Sequence, residues 1–201
     1  MSPIHSVRPV RLPGPRCVLR EWADDDLPAL HALLTEPRVL DRVLDERAPS
    51  RDEIRAALSG RREEAGGEPR PAYRLAAVGV AHDDSGPAHP TPRTDRAPAL
   101  LGLGTLTVES VPHRRGEIGY VVHPDHWGRG LGTEIAGLLL DLAFGPVGLH
   151  RVEATTRPDH AASRRVLEKV GMRYEGISRD HLLVRGSWWD SVRYAILATD
   201  R

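Results

Sequence analysis

A glycine-rich segment in the second half of the chain constrains its fold more than any other feature. The segment reads HPDHWGRGLGT over residues 123–133 and lies between an apolar strand pattern and a long helix pattern. Gly128, Gly130 and Gly132 allow a ligand to approach the backbone closely, because they carry no Cβ. The first turn of the following helix has free N–H groups and the positive end of the helix dipole. The segment therefore predicts an anion site suited to a pyrophosphate, with a purely structural tight turn as the alternative.

Two familiar phosphate-binding motifs do not fit this segment. A Walker loop ends in Gly-Lys-Ser or Gly-Lys-Thr, and the segment contains no lysine. A dinucleotide fingerprint has the spacing GxGxxG near a first strand. The glycines here have the spacing GxGxG and follow the fourth predicted strand. The segment is therefore typical of neither class.

Hydrophobic periodicity predicts a mixed order of strands and helices around the segment. Predicted strands cover residues 17–22, 73–81, 100–109, 116–123, 151–156, 172–185 and 188–197. Predicted helices cover residues 24–35, 50–64, 130–144 and 160–170. The resulting order, β-α-α-β-β-β-α-β-α-β-β, predicts an α+β fold with one crossover helix.

Two stretches have compositions that disfavour regular structure. Residues 1–15 contain four prolines, which remove backbone donors, so we expect a flexible N-terminal segment. Residues 82–98 are rich in Pro, Asp and His and have few residues to bury, so we expect a disordered loop insert. The remaining chain, about 16–199, predicts a single domain.

The charge balance and the single cysteine limit the partners and the compartment that we expect. The chain has 28 basic and 28 acidic residues, which argues against a nucleic-acid or membrane-surface partner. Cys17 is the only cysteine, so no internal disulfide can form, and we expect it to be a small buried residue. The N-terminal sequence lacks the apolar core of a signal peptide, and no apolar run has bilayer-spanning length. These features predict a cytoplasmic protein.

Several ordered segments resemble the GNAT acetyltransferases, and more narrowly the branch of RimJ/RimL-type ribosomal-protein N-terminal acetyltransferases. Motif A of that family is similar to GEIGYVVHPDHWGRGLGTEIAGLLLDLAF. The strand-plus-helix motif of the branch is similar to LHRVEATTRPDHAASRRVLEKVGMRYEG. The opening CVLREWADDDLPALHALLTEPRV and the tail GISRDHLLVRGSWWDSVRYAILATD also match. The resemblance covers about residues 16–199 and implies a GNAT fold with about seven strands and four helices.

The resemblance implies acetyl-CoA as co-substrate, bound between the strands at 116–123 and 151–156. It places the pantetheine arm along the backbone of the first strand and the pyrophosphate on the N–H groups of the glycine loop. His160 stands where the family usually has an asparagine, and Trp127 where the general motif has Gln or Arg. The implied coenzyme-binding residues are Val121, Val122, His123, Trp127, Gly128, Arg129, Gly130, Leu131, Gly132, Thr133, His160 and Ser163.

The resemblance also implies two catalytic residues. Glu117 lies in the strand where many members carry the general base, and a carboxylate facing the cleft can accept the proton of the amine. The alternative is an edge-strand glutamate that points to solvent. Ser163 lies where the branch has a serine near the sulfur, which can protonate the departing thiolate. The alternative is a first-turn serine that helps to cap its helix. The tyrosine usual in the family is not evident in this sequence.

Two further groups of polar residues have weaker functional interpretations. His123 and His126 form HxxH around Asp125, but a metal site needs a third ligand and the family uses no metal, so we expect no metal. Four acidic residues lie where the wall of the acceptor cleft is found in GNAT folds. They either attract a cationic amine or form a solvent-exposed face without a binding role. These residues are Glu36, Asp41, Asp45 and Glu46.

The implied function is transfer of acetyl from acetyl-CoA to a primary amine, with a peptide or protein N-terminus as the first choice of acceptor. One alternative acceptor is a small amine such as an aminoglycoside or a polyamine. Another alternative is an acyl-CoA-binding domain without turnover, against which the presence of Glu117 argues. The resemblance also allows a homodimer.

Overall fold

The structure, a computed structural model, describes residues 4–42, 47–80 and 99–201, without the side chains of residues 61–65. The whole of the predicted insert at 82–98, together with Asp45 and Glu46, therefore lies outside the described residues. The described chain resumes at Ala99, directly after the predicted insert.

The described residues form eight strands and five α-helices. The strands are β1 Arg11–Pro13, β2 Cys17–Arg20, β3 Ala72–Gly79, β4 Leu100–Ser110, β5 Arg115–Val122, β6 Arg151–Thr156, β7 Arg173–Val184 and β8 Ser187–Leu197. The helices are α1 Leu27–Thr35, α2 Pro37–Leu40, α3 Arg51–Gly66, α4 Leu131–Leu142 and α5 Ala161–Lys169. None of the helices in these ranges is long and apolar enough to cross a membrane.

The strands form one mixed sheet in the order β1-β2-β3-β4-β5-β6-β8-β7. Neighbouring strands are antiparallel except for the central pair β5 and β6, which α4 connects as a crossover. The predicted α+β fold is confirmed, with eight strands instead of seven and five helices instead of four. The additional elements are the short strand β1 and the four-residue helix α2.

The N-terminal segment differs from the prediction of a flexible stretch over 1–15. Arg11–Pro13 pair with β2, and Val10 is 2% exposed within the main core. The N–H of His5 donates to the carbonyl of Val147 at 3.1 Å. The prolines predicted a break in regular structure. However, β1 lies at the edge of the sheet, where a proline that lacks a backbone N–H leaves no carbonyl of a neighbouring strand without its hydrogen bond.

Local signals explain where the first helices begin. The backbone N–H of Ser50 donates to the Glu53 carboxylate at 2.7 Å, and the Glu53 N–H donates to Ser50 Oγ at 3.3 Å. This reciprocal pair is the predicted capping box of α3. Before α1, the Asp26 carboxylate accepts from the Ala23 N–H at 2.8 Å and from both Nη atoms of Arg20.

Helices cover the two faces of the sheet unequally. On one face, α4 and α5 pack over the main core, which extends from β2 to β8. On the other face, α1 and α3 pack over β2, β3 and β4 only, through a smaller cluster around Leu30, Ile54 and Leu58. The second face of β5, β6 and β8 carries polar side chains instead, among them Glu117, Glu153 and Arg193. We call this surface the open face.

Candidate active site

The two central strands separate part of the way along their length. The parallel pairing of β5 and β6 runs only from Arg115 and Arg151 to Glu117 and Glu153. Beyond this point β5 keeps β4 as its neighbour as far as Val122, and β6 keeps β8. A gap therefore opens between the carboxyl-terminal halves of β5 and β6.

One edge of β5 faces this gap with backbone groups. The N–H of His123 donates to the Leu101 carbonyl at 2.8 Å, so this peptide group points to β4. Alternate residues of an antiparallel strand turn their peptide groups to opposite sides. The peptide groups of Val121 therefore also face β4, and those of Tyr120 and Val122 face the gap. In the stretch predicted to pair with the pantetheine arm, the peptide groups of Val122 therefore face the gap, whereas those of Val121 and His123 face β4. The peptide groups of Tyr120, which the prediction did not include, also face the gap.

The glycine loop after β5 is folded by its own backbone. A 3₁₀ turn follows His123, in which the N–H groups of His126 and Trp127 donate to the carbonyls of His123 and Pro124. The Trp127 indole N–H reaches back to the Val122 carbonyl at 2.8 Å. These bonds tie the loop to the end of β5, beside the gap.

The positive φ angles of the loop require glycine. Gly128 has φ of 74° and Gly130 has φ of 80°, in the left-handed region that other residues rarely adopt. Gly130 is the N-cap of α4, with no side-chain capping bond, and its carbonyl accepts from the Glu134 N–H at 3.1 Å. The N–H groups of residues 131–133 precede this first helical bond, so they are available to an anion.

Glu117 lies half-buried on the open face, beside the point where the strands separate. The Thr155 hydroxyl donates to Glu117 Oε1 at 2.8 Å across the β5–β6 pair. Glu117 is on an interior strand, flanked by β4 and β6, so the alternative of an edge-strand position does not hold. The carboxylate can accept a proton from a group that enters the gap from the open face.

Ser163 has a partner that sequence reasoning missed. Its hydroxyl lies 3.1 Å from the hydroxyl of Tyr120, which projects from β5 toward α4 and α5. Ser163 is the third residue of α5. Burial raises the pKa of Tyr120, although the hydrogen bond with Ser163 opposes this rise. The phenol is therefore protonated near neutral pH and can act as a donor.

The short helix α2 crosses the gap at the carboxyl ends of both strands. On the β5 side, Arg38 of α2 bonds Asp125 at 3.2 Å. On the other side, Arg157, which follows β6, donates to the Asp41 carbonyl at 3.2 Å, and Arg185 donates to the Leu40 carbonyl at 3.1 Å. Arg157 also stacks on a tryptophan of β8, with its guanidinium carbon 4.0 Å from the Trp189 ring centroid. These contacts make α2 one wall of the open-face cleft.

Two of the predicted acceptor-wall carboxylates lie in this region. Glu36 precedes α2, and its hydrogen bond with Arg38 lowers the pKa of Glu36. Asp41 follows α2 and contributes its carbonyl to the bond with Arg157. Asp45 and Glu46, as stated above, lie outside the described residues.

The histidines have separate environments. His160 is the N-cap residue of α5 without a side-chain capping bond, and burial is the main cause that lowers the pKa of His160. His123 Nδ1 accepts from the Asp125 N–H at 3.3 Å. Within residues 4–42, 47–80 and 99–201, no three His, Cys, Asp or Glu side chains are grouped to hold a metal ion. Cys17 is fully buried, and burial together with Glu134 raises the pKa of its thiol to about 12.

Comparison with known proteins agrees with this architecture. The family model described as an acetyltransferase (GNAT) domain matches residues 16–173. The solved structure of Mycobacterium smegmatis RimJ in complex with CoA-disulfide superposes with a TM-score of 0.78 and 26% identity, over 98% of this chain and 91% of that one.

Curated relatives match over shorter stretches. The Bacillus subtilis (strain 168) protein named Uncharacterized N-acetyltransferase YnaD is 40% identical over 81 residues, 40% of this chain and 48% of that protein. The Escherichia coli (strain K12) spermidine N(1)-acetyltransferase is 25% identical over 95 residues, 47% of this chain and 51% of that protein. The chain thus spans about half the length of the curated relatives it matches.

Proposed function

The chain belongs to the GNAT acetyltransferase domain family, and on this premise we propose that it transfers an acetyl group from acetyl-CoA to a primary amine. The observation that carries the proposal is the gap between β5 and β6, with the glycine loop at one end and Glu117 on its open face. A ligand that is extended at one end and carries phosphates at the other matches this arrangement.

The residues around the gap fit the coenzyme in chemistry and in shape. Peptide groups of Tyr120 and Val122 would bond the pantetheine arm as an added strand does. Backbone N–H groups from Gly128 to Thr133 would bond the pyrophosphate, and those of residues 131–133 precede the first helical bond of α4. Gly130 has φ of 80°, a conformation that strains any residue with a side chain, and Arg16 Nη1 lies 2.7 Å from the position that a Cβ would take there. Bound acetyl-CoA would supply the acetyl group as a reactive thioester.

We assign the proton transfers to residues on the two faces of the gap. Glu117 would take a proton from the attacking amine on the open face. The new C–N bond forms as the C–S bond breaks, and the thiolate takes a proton from Ser163 on the opposite side. The hydrogen bond between Tyr120 and Ser163 would keep the Ser163 hydroxyl oriented, and the Tyr120 hydroxyl would return a proton to Ser163 after the transfer.

The charges of the open-face cleft favour an acceptor with one amine, such as a peptide or protein N-terminus. Four carboxylates near the cleft each have an arginine partner within 3.2 Å; they are Glu36 and Asp125 with Arg38, Asp159 with Arg157, and Glu153 with Arg193. A polyamine carries several cationic amines, and each would be bound best by a carboxylate that has no arginine partner. A single α-amine needs only one such carboxylate, which Glu117 would supply. The similarity to RimJ supports the same choice, and the similarity to a spermidine acetyltransferase makes a polyamine the alternative.

A panel of amines tests the function. CoA release would be measured with acetyl-CoA and short peptides bearing free or blocked N-termini, spermidine, and an aminoglycoside. We expect release with the free peptides and little with the blocked ones. Preference for spermidine would replace the acceptor assignment, and absence of release with every amine, despite coenzyme binding, would favour a binding domain.

The coenzyme site has its own test at Gly130. Acetyl-CoA at 100 times its Kd would stabilise the wild type by about 2.7 kcal/mol. We expect Gly130→Asp to abolish this shift in Tm, because a carboxylate there adds bulk and repels the pyrophosphate. Gly145→Asp is the matched control, since Gly145 is exposed and a Cβ there meets no atom within 4 Å. Equal shifts in both variants would refute the loop assignment.

A further inference from the structure

The side chain of Arg16, which is 113 residues before Arg129 in the sequence, lies over the glycine loop. Arg16 directly precedes β2, and its guanidinium donates to the carbonyl of Arg129 in the loop. Its Nη1 is the nearest atom to the empty Cβ position of Gly130, at 2.7 Å. None of the motifs that resemble the acetyltransferase coenzyme site includes this residue.

The position of Arg16 is set by its backbone and not by its side chain. The N–H groups of Arg16 and Cys17 donate to Glu134 Oε1 at 2.7 and 3.0 Å. Glu134 is in the first turn of α4, and its side chain is only 11% exposed. The start of β2 is thereby fastened to the start of α4, whatever the Arg16 side chain does.

The guanidinium itself keeps most of its donors available. Its ion pair with Glu134 is long, with Arg16 Nε 3.9 Å from Glu134 Oε2. The other carboxylate oxygen, Oε1, accepts the backbone N–H groups of Arg16 and Cys17. The Arg16 side chain is 58% exposed. Of its five N–H donors, the described contacts use one, on the Arg129 carbonyl. A full positive charge with free donors therefore lies beside the free N–H groups of residues 131–133.

We propose that Arg16 supplies a cationic group to the phosphate site, in addition to Arg129 of the loop itself, and binds a phosphate oxygen of the coenzyme. The backbone of the loop provides neutral N–H groups, which orient an anion but do not cancel its charge. A guanidinium within reach of the same point adds charge-assisted hydrogen bonds. This inference rests on the proposed coenzyme, and it assigns to Arg16 a binding role that is separate from the Glu134 contacts.

Two substitutions separate this role from a structural one. Arg16→Gln removes the charge but retains a donor for the Arg129 carbonyl, and Arg16→Lys retains the charge. We expect Arg16→Gln to weaken CoA binding about tenfold by calorimetry, and Arg16→Lys to weaken it less than about threefold. Binding of pantetheine, which has no phosphate, should be equal in all three proteins. Arg11→Gln, a loss of an exposed arginine on β1, should leave CoA binding unchanged.

The outcomes are distinguishable from those of the proposed function. Failure of the wild type to bind CoA would remove the coenzyme assignment itself. CoA binding by the wild type with an undiminished Kd in Arg16→Gln would overturn the role of Arg16 alone. Equal losses in Arg16→Lys and Arg16→Gln would also overturn it, because they would indicate that shape and not charge matters. The Tm of each variant without ligand serves as the check on folding.

Discussion

At the scale of single residues, Glu117, the proposed general base, is held in position by a hydrogen bond from Thr155 on the neighbouring strand. The Thr155 hydroxyl donates to Glu117 Oε1 at 2.8 Å, which holds the side chain on the open face. Among the residues whose side chains the structure describes, no arginine forms an ion pair with Glu117. This differs from nearby Glu153, which bonds Arg151 and Arg193.

Replacing Glu117 by glutamine should separate proton transfer from binding. Glutamine keeps the size of the side chain and an oxygen for Thr155, but it does not take a proton at neutral pH. We expect kcat to fall about 100-fold with the Kd for acetyl-CoA unchanged. Glu109→Gln, at an exposed position on β4, is the control with the same change of charge. Near-full activity of Glu117→Gln with several amines would mean that the protein only orients an already neutral amine.

The Tyr120–Ser163 contact predicts a coupled effect of two substitutions. If the two hydroxyls act as one proton-donating unit, removing either should cost kcat roughly tenfold, and removing both should cost little more. The test is a double-mutant cycle of Tyr120→Phe and Ser163→Ala, with kcat and the Kd for acetyl-CoA measured for each protein. Independent, multiplicative losses would contradict the pair. A loss confined to Kd would reduce it to a packing contact.

At the scale of elements, the bidentate pair of Arg20 and Asp26 joins β2 to the start of α1. Burial opposes ionisation of Asp26, but the Arg20 guanidinium and the Ala23 N–H outweigh it and lower the pKa of Asp26. A carboxylate with a lowered pKa in the folded state stabilises the protein above its unfolded pKa, about 4. That contribution is lost as the pH falls below this value.

Asp26→Asn should therefore destabilise the protein in a pH-dependent way. We expect a loss of about 2 kcal/mol in the free energy of unfolding at pH 7, because charged hydrogen bonds are replaced by neutral ones. The difference from wild type should shrink as the pH falls below about 4. Asp25→Asn, an exposed neighbour with the same charge change, should have little effect. Urea denaturation at several pH values would check both, and a pH-independent difference would contradict the assigned pair.

Elements with long periodic patterns were predictable from the sequence, and elements that depend on neighbours were not. Strand β6 and the helices α3, α4 and α5 lie within a few residues of their predicted positions, because each has a regular apolar stripe or a capping signal. Strand β1 was missed because three residues are too few to show an alternating apolar pattern, and because the prolines favoured an irregular segment. Helix α2 was missed because contacts with Asp125, Arg157 and Arg185 hold its four residues in place.

The candidate site likewise has one part that the local sequence predicts and other parts that depend on contacts between distant residues. The glycine loop could be read locally, since strand, turn and helix follow one another in sequence. The gap between β5 and β6 could not, because it depends on where two strands 30 or more residues apart stop pairing. The contact of Tyr120 with Ser163 spans 43 residues, and that of Arg16 with Arg129 spans 113. Such contacts follow from the packing of whole layers, on which a local pattern carries no information.

At the scale of the whole molecule, the sheet has a helix-covered half and a half that is open on one face. Strands β2, β3 and β4 are covered on both faces, by α1 and α3 on one and by α4 on the other. In the part of the chain that the structure describes, strands β5, β6 and β8 are covered by α4 and α5 on one face, and on the other face only α2 lies near them, at the ends of β5 and β6. The gap between β5 and β6 lies within the open half, one strand away from the covered half, so the proposed coenzyme and acceptor would enter from opposite faces of one sheet.

The stretch predicted to be an insert joins two adjacent strands of the covered half. Strands β3 and β4 are antiparallel neighbours, and the Gly79 N–H donates to the Ala99 carbonyl at 3.0 Å. The chain ends that flank residues 81–98 are therefore already side by side. A hairpin connection of two to five residues can close such a pair, so the fold does not need the full length of this stretch.

Replacing residues 81–98 by a four-residue Gly-Ser linker should therefore leave the domain folded and able to bind coenzyme. A shorter loop loses less entropy on closure, which would raise the free energy of unfolding by about 1.3 kcal/mol. We expect an unchanged or slightly higher Tm and an unchanged shift with acetyl-CoA. The amine panel should then be repeated on this variant. Lost coenzyme binding would show that the stretch is part of the domain, whereas lost turnover with one class of amine alone would assign it to acceptor selection.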